Sequence, residues 1–272
     1  MAKDLVLITG VTGFIGFRVL LYTLEAGYQV RAAVRSEVKA QNITANPALQ
    51  ALKRESQISF IIVPNFLAPG AFDEAIKGVK FVIHVASPIP FQEPPDKDYE
   101  RFFVQPAVQG TLEVFESAKK AGGVKRIVVT SSVVALTGRE GLAGHQSTLT
   151  AEDRPPLEKG PFEDSPHAYA VSKVAALIRA EEWIEKTKPD FDVVHLHPSF
   201  VLGRNDLYEN TKDFASGTNI IPLAVATGNA SPAQTFAFGF THVTDTARAH
   251  VLSLDAKVPG NQSYLLTSSG PN

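Results

Sequence analysis

Short β-branched runs alternate with helical patterns through the first two-thirds of this 272-residue chain. Most of the strand-like runs are apolar almost throughout, as expected where both faces of a parallel sheet are covered. A glycine-rich turn joins the first such run to the first helical pattern. Together these features predict an α/β fold, a doubly wound parallel sheet, with a smaller and partly irregular C-terminal lobe.

The expected strands are residues 5–9, 29–34, 58–63, 81–85, 126–131 and 193–197. Between them, helical spacing predicts helices at 14–26, 37–52, 69–77, 99–121 and 166–188. The last has a start signal, since Ser165 can cap and Pro166 suits a first helical position. From about residue 198 the pattern loosens, and 205–232 is rich in Gly, Asn, Thr and Pro with no sustained period. A strand-like stretch at 236–243, a helix at 245–254 and a strand at 262–266 follow. The expected division is 1–198 for the sheet domain and 199–272 for a substrate lobe whose later segments pack back on it. The sequence stops soon after a strand, so that lobe is expected to be incomplete, or compact with an open pocket.

Composition excludes several classes. Lys plus Arg number 26 against 28 Asp plus Glu, a formal charge of −2, so no basic field invites nucleic acid or an anionic membrane. No run of 18 apolar residues occurs, and no basic, apolar, cleavable leader opens the sequence. Cysteine is absent, which removes disulfides, thiolate nucleophiles and cysteine-ligated metals and suits a reducing compartment. A cytoplasmic protein acting on a small molecule, as monomer or homodimer, is expected.

Gly10-Val11-Thr12-Gly13-Phe14-Ile15-Gly16 follows the first strand and opens a helix, a G-x-x-G-x-x-G variant of the dinucleotide fingerprint of Rossmann domains. Glycine allows the tight turn, close approach of the pyrophosphate and tight helix–sheet packing, and the helix start offers unpaired amides. Arg35 lies 19 residues beyond Gly16, about where an acid grips the ribose in NAD proteins. A guanidinium there, with Lys39 one turn on, suits a 2′-phosphate, so NADP(H) is the expected cofactor.

Tyr169 and Lys173 stand four apart on the last long helix and so project from one face. A nearby ammonium favours phenolate over phenol, so a lowered phenol pKa is expected. Such a phenol can act as general acid or base on a substrate oxygen. Alone the pattern is common on exposed helices; the glycine turn gives it weight. His195 and His197 also share a strand face, but without a nearby acid motif they read as core histidines rather than metal ligands. No G-x-S-x-G elbow supports a hydrolase.

With the glycine turn, His84-Val85-Ala86-Ser87-Pro88, Pro106-Ala107-Val108-x-Gly110-Thr111, Thr130-Ser131-Ser132 and Tyr169-x-x-x-Lys173 in this order, the chain resembles the extended short-chain dehydrogenase/reductases. It is most similar to the branch of dihydroflavonol reductases, cinnamoyl-CoA reductases and fungal aldehyde or ketone reductases. The resemblance implies that Gly10, Thr12, Gly13, Phe14, Ile15 and Gly16 follow the pyrophosphate and that Arg35 and Lys39 hold the 2′-phosphate. It places Val85, Ala86 and Pro88 along the adenosine and nicotinamide ribose, and Pro198, Ser199 and Val201 at the nicotinamide. Relatives often carry an acid for the adenine amine after the third strand; here Asn65 stands in that stretch, with an amide oxygen able to accept the same bond.

The resemblance also implies a catalytic triad. Ser132, with Ser131 as second choice, donates to the carbonyl oxygen; Tyr169 is the general acid; Lys173 tunes it and bonds the nicotinamide ribose. Phe91, Val133, Phe200 and Tyr208 are candidates for an apolar substrate pocket. The expected activity is NADPH-dependent reduction of an aldehyde or ketone. Two alternatives stand beside it: a nucleotide-sugar epimerase or dehydratase, disfavoured because Arg204 is nearly alone in its segment, and a cofactor-binding sensor or scaffold with little turnover. The segment His242-x-x-Asp245-x-x-Arg248 reads as structural.

Overall fold

The computed structural model describes residues 3–90, 93–142, 148–208, 210, 213, 217–229 and 239–268, with backbone alone for 140–142. Seven parallel strands form the central sheet: β1 (Leu5–Thr9), β2 (Gln29–Val34), β3 (Ile58–Ile62), β4 (Phe81–His84), β5 (Arg126–Thr130), β6 (Asp192–Pro198) and β9 (Gln262–Leu266). Their spatial order is β3-β2-β1-β4-β5-β6-β9. The order reverses between β1 and β4, which opens a crevice at the carboxyl ends of the strands. A separate parallel pair joins β7 (Phe200–Leu202) to β8 (Phe240–His242).

Two apolar layers sandwich the sheet. On one side α1 (Phe14–Glu25), α2 (Glu37–Ala45), α3 (Pro47–Ala51) and α8 (Val243–Leu252) cover it, with Phe17, Leu20, Leu24 and Ile43 fully buried. On the other, α4 (Gln105–Ala121) and α6 (Ser165–Thr187) bury Val114, Phe115 and Phe191 against Val129 and Val193. Each such side chain contributes about 1.5–3 kcal/mol when fully buried. Arg126 fastens the sheet's far side: it is nearly buried, grips Asp192 of β6 at 2.5 Å through Nε, and donates to the carbonyls of Ser253 and Asp255 after α8.

Several helices differ from expectation for local reasons. The predicted 37–52 helix is two, because Asn46 precedes Pro47 and takes an extended conformation, then caps α3 through a bond from Ala48 N at 2.9 Å. Residues 69–77 form consecutive turns rather than a helix, bounded by Gly70 and Gly78, both at positive φ. Before α4, Glu100–Val104 winds as a π-helix, where Pro106 has no N–H to donate back. The cap of α6 is Asp164, whose carboxylate accepts from His167 N at 2.8 Å; Ser165 instead gives its hydroxyl to Glu93.

The loosely patterned C-terminal stretch contains α7 (Ile220–Ala226) and returns to the sheet through α8 and β9. There Arg248 of α8 stacks on Tyr22 of α1, 5.7 Å from the ring centroid. Of the expected 236–243 strand, Phe240–His242 is paired; 236–238 lie outside the described residues, as does Phe91.

Candidate active site

At the crevice, the glycine turn fills the gap between β1 and β4. Gly10 has φ +79°, and a Cβ there would lie 2.7 Å from the backbone N of Ala86. Gly16 is tighter: its Cβ would sit 2.0 Å from the carbonyl oxygen of Gly10. Thr12 and Gly13 are exposed and Phe14 and Ile15 half-buried, and α1 starts at Gly13 without a side-chain cap. That leaves the helix N-terminus open to an anion.

Thr9 joins the two strands across the crevice. Its hydroxyl oxygen accepts from the backbone N of Val85 and of Ala86, each at 3.2 Å, and lies 2.9 Å from Nδ1 of His84. With two amides donating to it, the hydroxyl's own proton points to His84, whose pKa burial depresses to about 3, so the ring is neutral. This network sets the path of Val85, Ala86 and the half-buried Pro88.

Beyond β2, Arg35 and Lys39 are both exposed, one just before and one just after the Ser36 cap of α2. Arg35 stacks over Phe66 at 5.8 Å, while Ser36 caps α2 through Lys39 N at 3.4 Å. Asn65 is exposed next to Phe66, and its Oδ1 accepts from Leu67 N at 3.0 Å, so one of its two acceptor sites serves the local turn. Pro198 ends β6, Val201 lies in β7, and the hydroxyl of Ser199 between them is buried with no partner in the protein.

Ser132, Tyr169 and Lys173 come together. Ser132 follows β5 and lies near enough to the Tyr169 phenol to lower its pKa, while its own carbonyl accepts from His197 at 3.2 Å. A carbonyl only accepts, so Nδ1 of His197 carries the proton and Nε2 takes one from Ser263, 3.0 Å away. Ser131 meets Leu196 through its backbone, so Ser132 is the serine facing the phenol. Lys173 is buried 5.6 Å from the Tyr169 ring centroid and donates to Ser87 at 2.9 Å.

The phenol's pKa departs from expectation. Burial pushes Tyr169 above its ordinary value, and the Ser132 side chain pulls it part of the way down. Burial acts on Lys173 as well, whose desolvated ammonium drops to about 8. Val133 is buried against Tyr169, and Phe200 and Tyr208 are half-buried. Thr9, Ser87 and His197 are the site residues that sequence reasoning passed over. Ser87 stood within a quoted motif, but its partner lies 86 residues away.

Such a crevice and such a cluster define a dinucleotide-binding oxidoreductase. The family model for the NAD-dependent epimerase/dehydratase family matches residues 6–266, and the chain belongs to that family, the extended short-chain dehydrogenase/reductases. The ketoreductase CTB6 of Cercospora beticola is 41% identical over 274 residues, covering 99% of this chain and 76% of the relative. The tetraketide alpha-pyrone reductase 2 of Arabidopsis thaliana is 30% identical over 256 residues, covering 92% and 73%. Among solved structures, the yeast methylglyoxal/isovaleraldehyde reductase Gre2 with NADPH superposes with a TM-score of 0.81 at 27% identity, over 97% of this chain and 78% of that one. The chain thus falls in the reductase branch of its family.

Proposed function

We propose that this protein is an NADPH-dependent carbonyl reductase in which Tyr169, Lys173 and Ser132 carry the proton chemistry. NADP(H) as cofactor and carbonyl reduction as reaction class follow from the reductase relatives and their NADPH complex. The roles of single residues are our reading. The observation that carries it is the meeting of Ser132, Tyr169 and the buried Lys173, whose ammonium lies 5.6 Å from the Tyr169 ring centroid, at the open end of β5.

The site fits the cofactor. Gly10 and Gly16 leave no room for side chains, and the uncapped start of α1 offers amides to the pyrophosphate. Arg35 and Lys39 supply cations for a 2′-phosphate, Asn65 retains a lone pair for the adenine amine, and Val85, Ala86 and Pro88 wall the ribose. The buried, unpartnered Ser199 hydroxyl suits the carboxamide, and Pro198 and Val201 would hold the nicotinamide end beside it.

When bound, NADPH supplies the hydride. Ser132 donates to the substrate oxygen and steadies its developing charge. Tyr169 gives its proton to that oxygen, and its raised pKa keeps it in the protonated form this step needs. Lys173, titrating near pH 8, stabilises the phenolate that remains. Val133, Phe200 and Tyr208 offer an apolar wall to an aliphatic or aromatic carbonyl compound.

We assign residues 1–198 to cofactor binding and catalysis and 199–272 to the substrate lobe, whose returning segments α8 and β9 pack on the first domain, and place the protein in the cytoplasm. No helix among the described residues is long and apolar enough to cross a membrane. Against a nucleotide-sugar substrate, Arg204 is paired with Asp206 at 3.0 Å rather than held for a diphosphate. The test is turnover with NADPH across aldehydes, ketones and one nucleotide sugar. NADPH oxidation with a ketone or aldehyde is expected. Conversion of the sugar without added cofactor, or binding of NADPH with no turnover, overturns the proposal.

A further inference from the structure

His195 sits in the middle of β6, in register with Val129 of β5 and Ser263 of β9, on the sheet face that α6 covers. Only 4% of it is exposed, and neither ring nitrogen has a hydrogen-bond partner. A neutral imidazole offers one donor and one acceptor, and leaving both unmade in a core is rare in native proteins. Burial, aided by the charge of Arg154, depresses its pKa to about 4, so the ring is neutral near pH 7.

Two cavities meet at this ring. The inner one, about 20 Å³, is lined also by Lys173, Ser87, Thr130 and Ser131. That is room for a single water, and the walls supply the polar partners a buried water requires. The outer one is a cleft rimmed by Glu152, Arg154 and Glu185, all exposed, with Glu181 and Ser263 deeper in. Among the described residues that line either space, His195 alone lines both.

We propose that His195, with one water held in the inner cavity, is the route by which solvent protons reach Lys173. This rests on the roles given above to Tyr169 and Lys173. Each turnover leaves Tyr169 as phenolate, because its proton departs on the product oxygen. Lys173 passes a proton toward the phenolate and becomes an amine. The cavity water gives a proton to that amine and takes one from His195, whose other nitrogen takes one from water in the cleft; a flip of the ring then turns its N–H back toward the cavity for the next turnover. One solvent proton enters for each that leaves on the alcohol, and no oxidant or reductant beyond NADPH is needed. The ring acts through Lys173 and touches no reacting atom.

The other titratable and charged groups around His195 are His84 across the inner cavity, His197 on its own strand with ring centroids 6.4 Å apart, and the Arg154–Glu181 pair with Glu152 and Glu185 at the cleft. Their titration does not depend on the relay, so the decisive measurement replaces His195 alone. His195→Gln keeps a donor and an acceptor but cannot shuttle a proton, and His195→Ala opens space for added imidazole. The expected result for both is a kcat about tenfold or more below that of the parent, steepest above pH 8 where solvent protons are scarce, with NADPH Kd unchanged. The solvent deuterium isotope effect on kcat should rise, and free imidazole should restore much of the loss in His195→Ala. A parental kcat and pH profile in His195→Gln overturns the relay. So does a loss in both variants that imidazole leaves untouched and that is equal at every pH, since that marks a packing role. If Tyr169→Phe stays active, the underlying reading has failed; if Tyr169→Phe is dead and His195→Gln is unimpaired, only the relay has.

Discussion

The side chain of Ser132 faces the phenol of Tyr169, bringing the exit of β5 to the second turn of α6. The two strands nearest that contact hold it in place. His197 of β6 fixes the Ser132 carbonyl, and Ser263 of β9 fixes His197. Ser263 of the last strand, 131 residues beyond Ser132 in sequence, therefore helps orient this serine.

Arg35 should set cofactor preference. Its guanidinium lies exposed over Phe66 with Lys39 close by in sequence, and an ion pair to a 2′-phosphate is lost when it is removed. Arg35→Ala is expected to raise the KM for NADPH by about tenfold or more while leaving that for NADH nearly unchanged, as loss of one charge-assisted contact implies. Steady-state kinetics with both cofactors check this. Equal effects on the two would remove Arg35 from the 2′-phosphate.

Gly16 admits no side chain. A methyl group would sit 2.0 Å from the Gly10 carbonyl, in backbone that cannot yield. Gly16→Ala is expected to cost about 1–3 kcal/mol of stability, as overpacking does, and to abolish NADPH binding by displacing the turn. Denaturant unfolding and cofactor titration read the two effects separately. A variant with parental stability and affinity would contradict the packing described here.

Four buried histidines make the fold sensitive to acid. Burial depresses His84 and His197 to about 3 and His195 and His250 to about 4, against an ordinary value of 6.5. Below 6.5 the unfolded chain binds protons that the folded one does not, so stability falls as pH drops from 6.5 toward 4 and is fully present above 6.5. His250 illustrates the cause: Nδ1 donates to the Thr246 carbonyl and Nε2 accepts from Thr130 at 2.7 Å, an arrangement only a neutral ring can make. Urea midpoints measured between pH 7.5 and 4.5 should hold level down to about pH 6.5 and decline steadily below it. A flat profile would mean that these rings are not held neutral.

Much of this could be read from the residues in order. The sheet was legible because its strands are apolar on both faces, and β1, β2 and β9 have the predicted limits. The glycine turn was legible because backbone geometry demands glycine there. Helix limits were less so: Pro47 and Pro106 act through a missing N–H, whose consequence depends on what the flanking residues do instead. The phenol's raised pKa was not legible, since spacing shows that Lys173 is near Tyr169 but not how far either is withdrawn from solvent. Ser87, Thr9 and His197 act through contacts spanning 86, 76 and 65 residues, which no local pattern records.

Tyr169→Phe tests the account most directly, because it deletes one oxygen and leaves the ring's packing against Val133 and Ala170. Steady-state turnover and NADPH titration on the same preparation are the measurement. We expect kcat to fall by about 10²–10⁴-fold, the usual contribution of a general acid, with the NADPH Kd nearly unchanged. Turnover close to that of the parent chain would show that the proton comes from elsewhere.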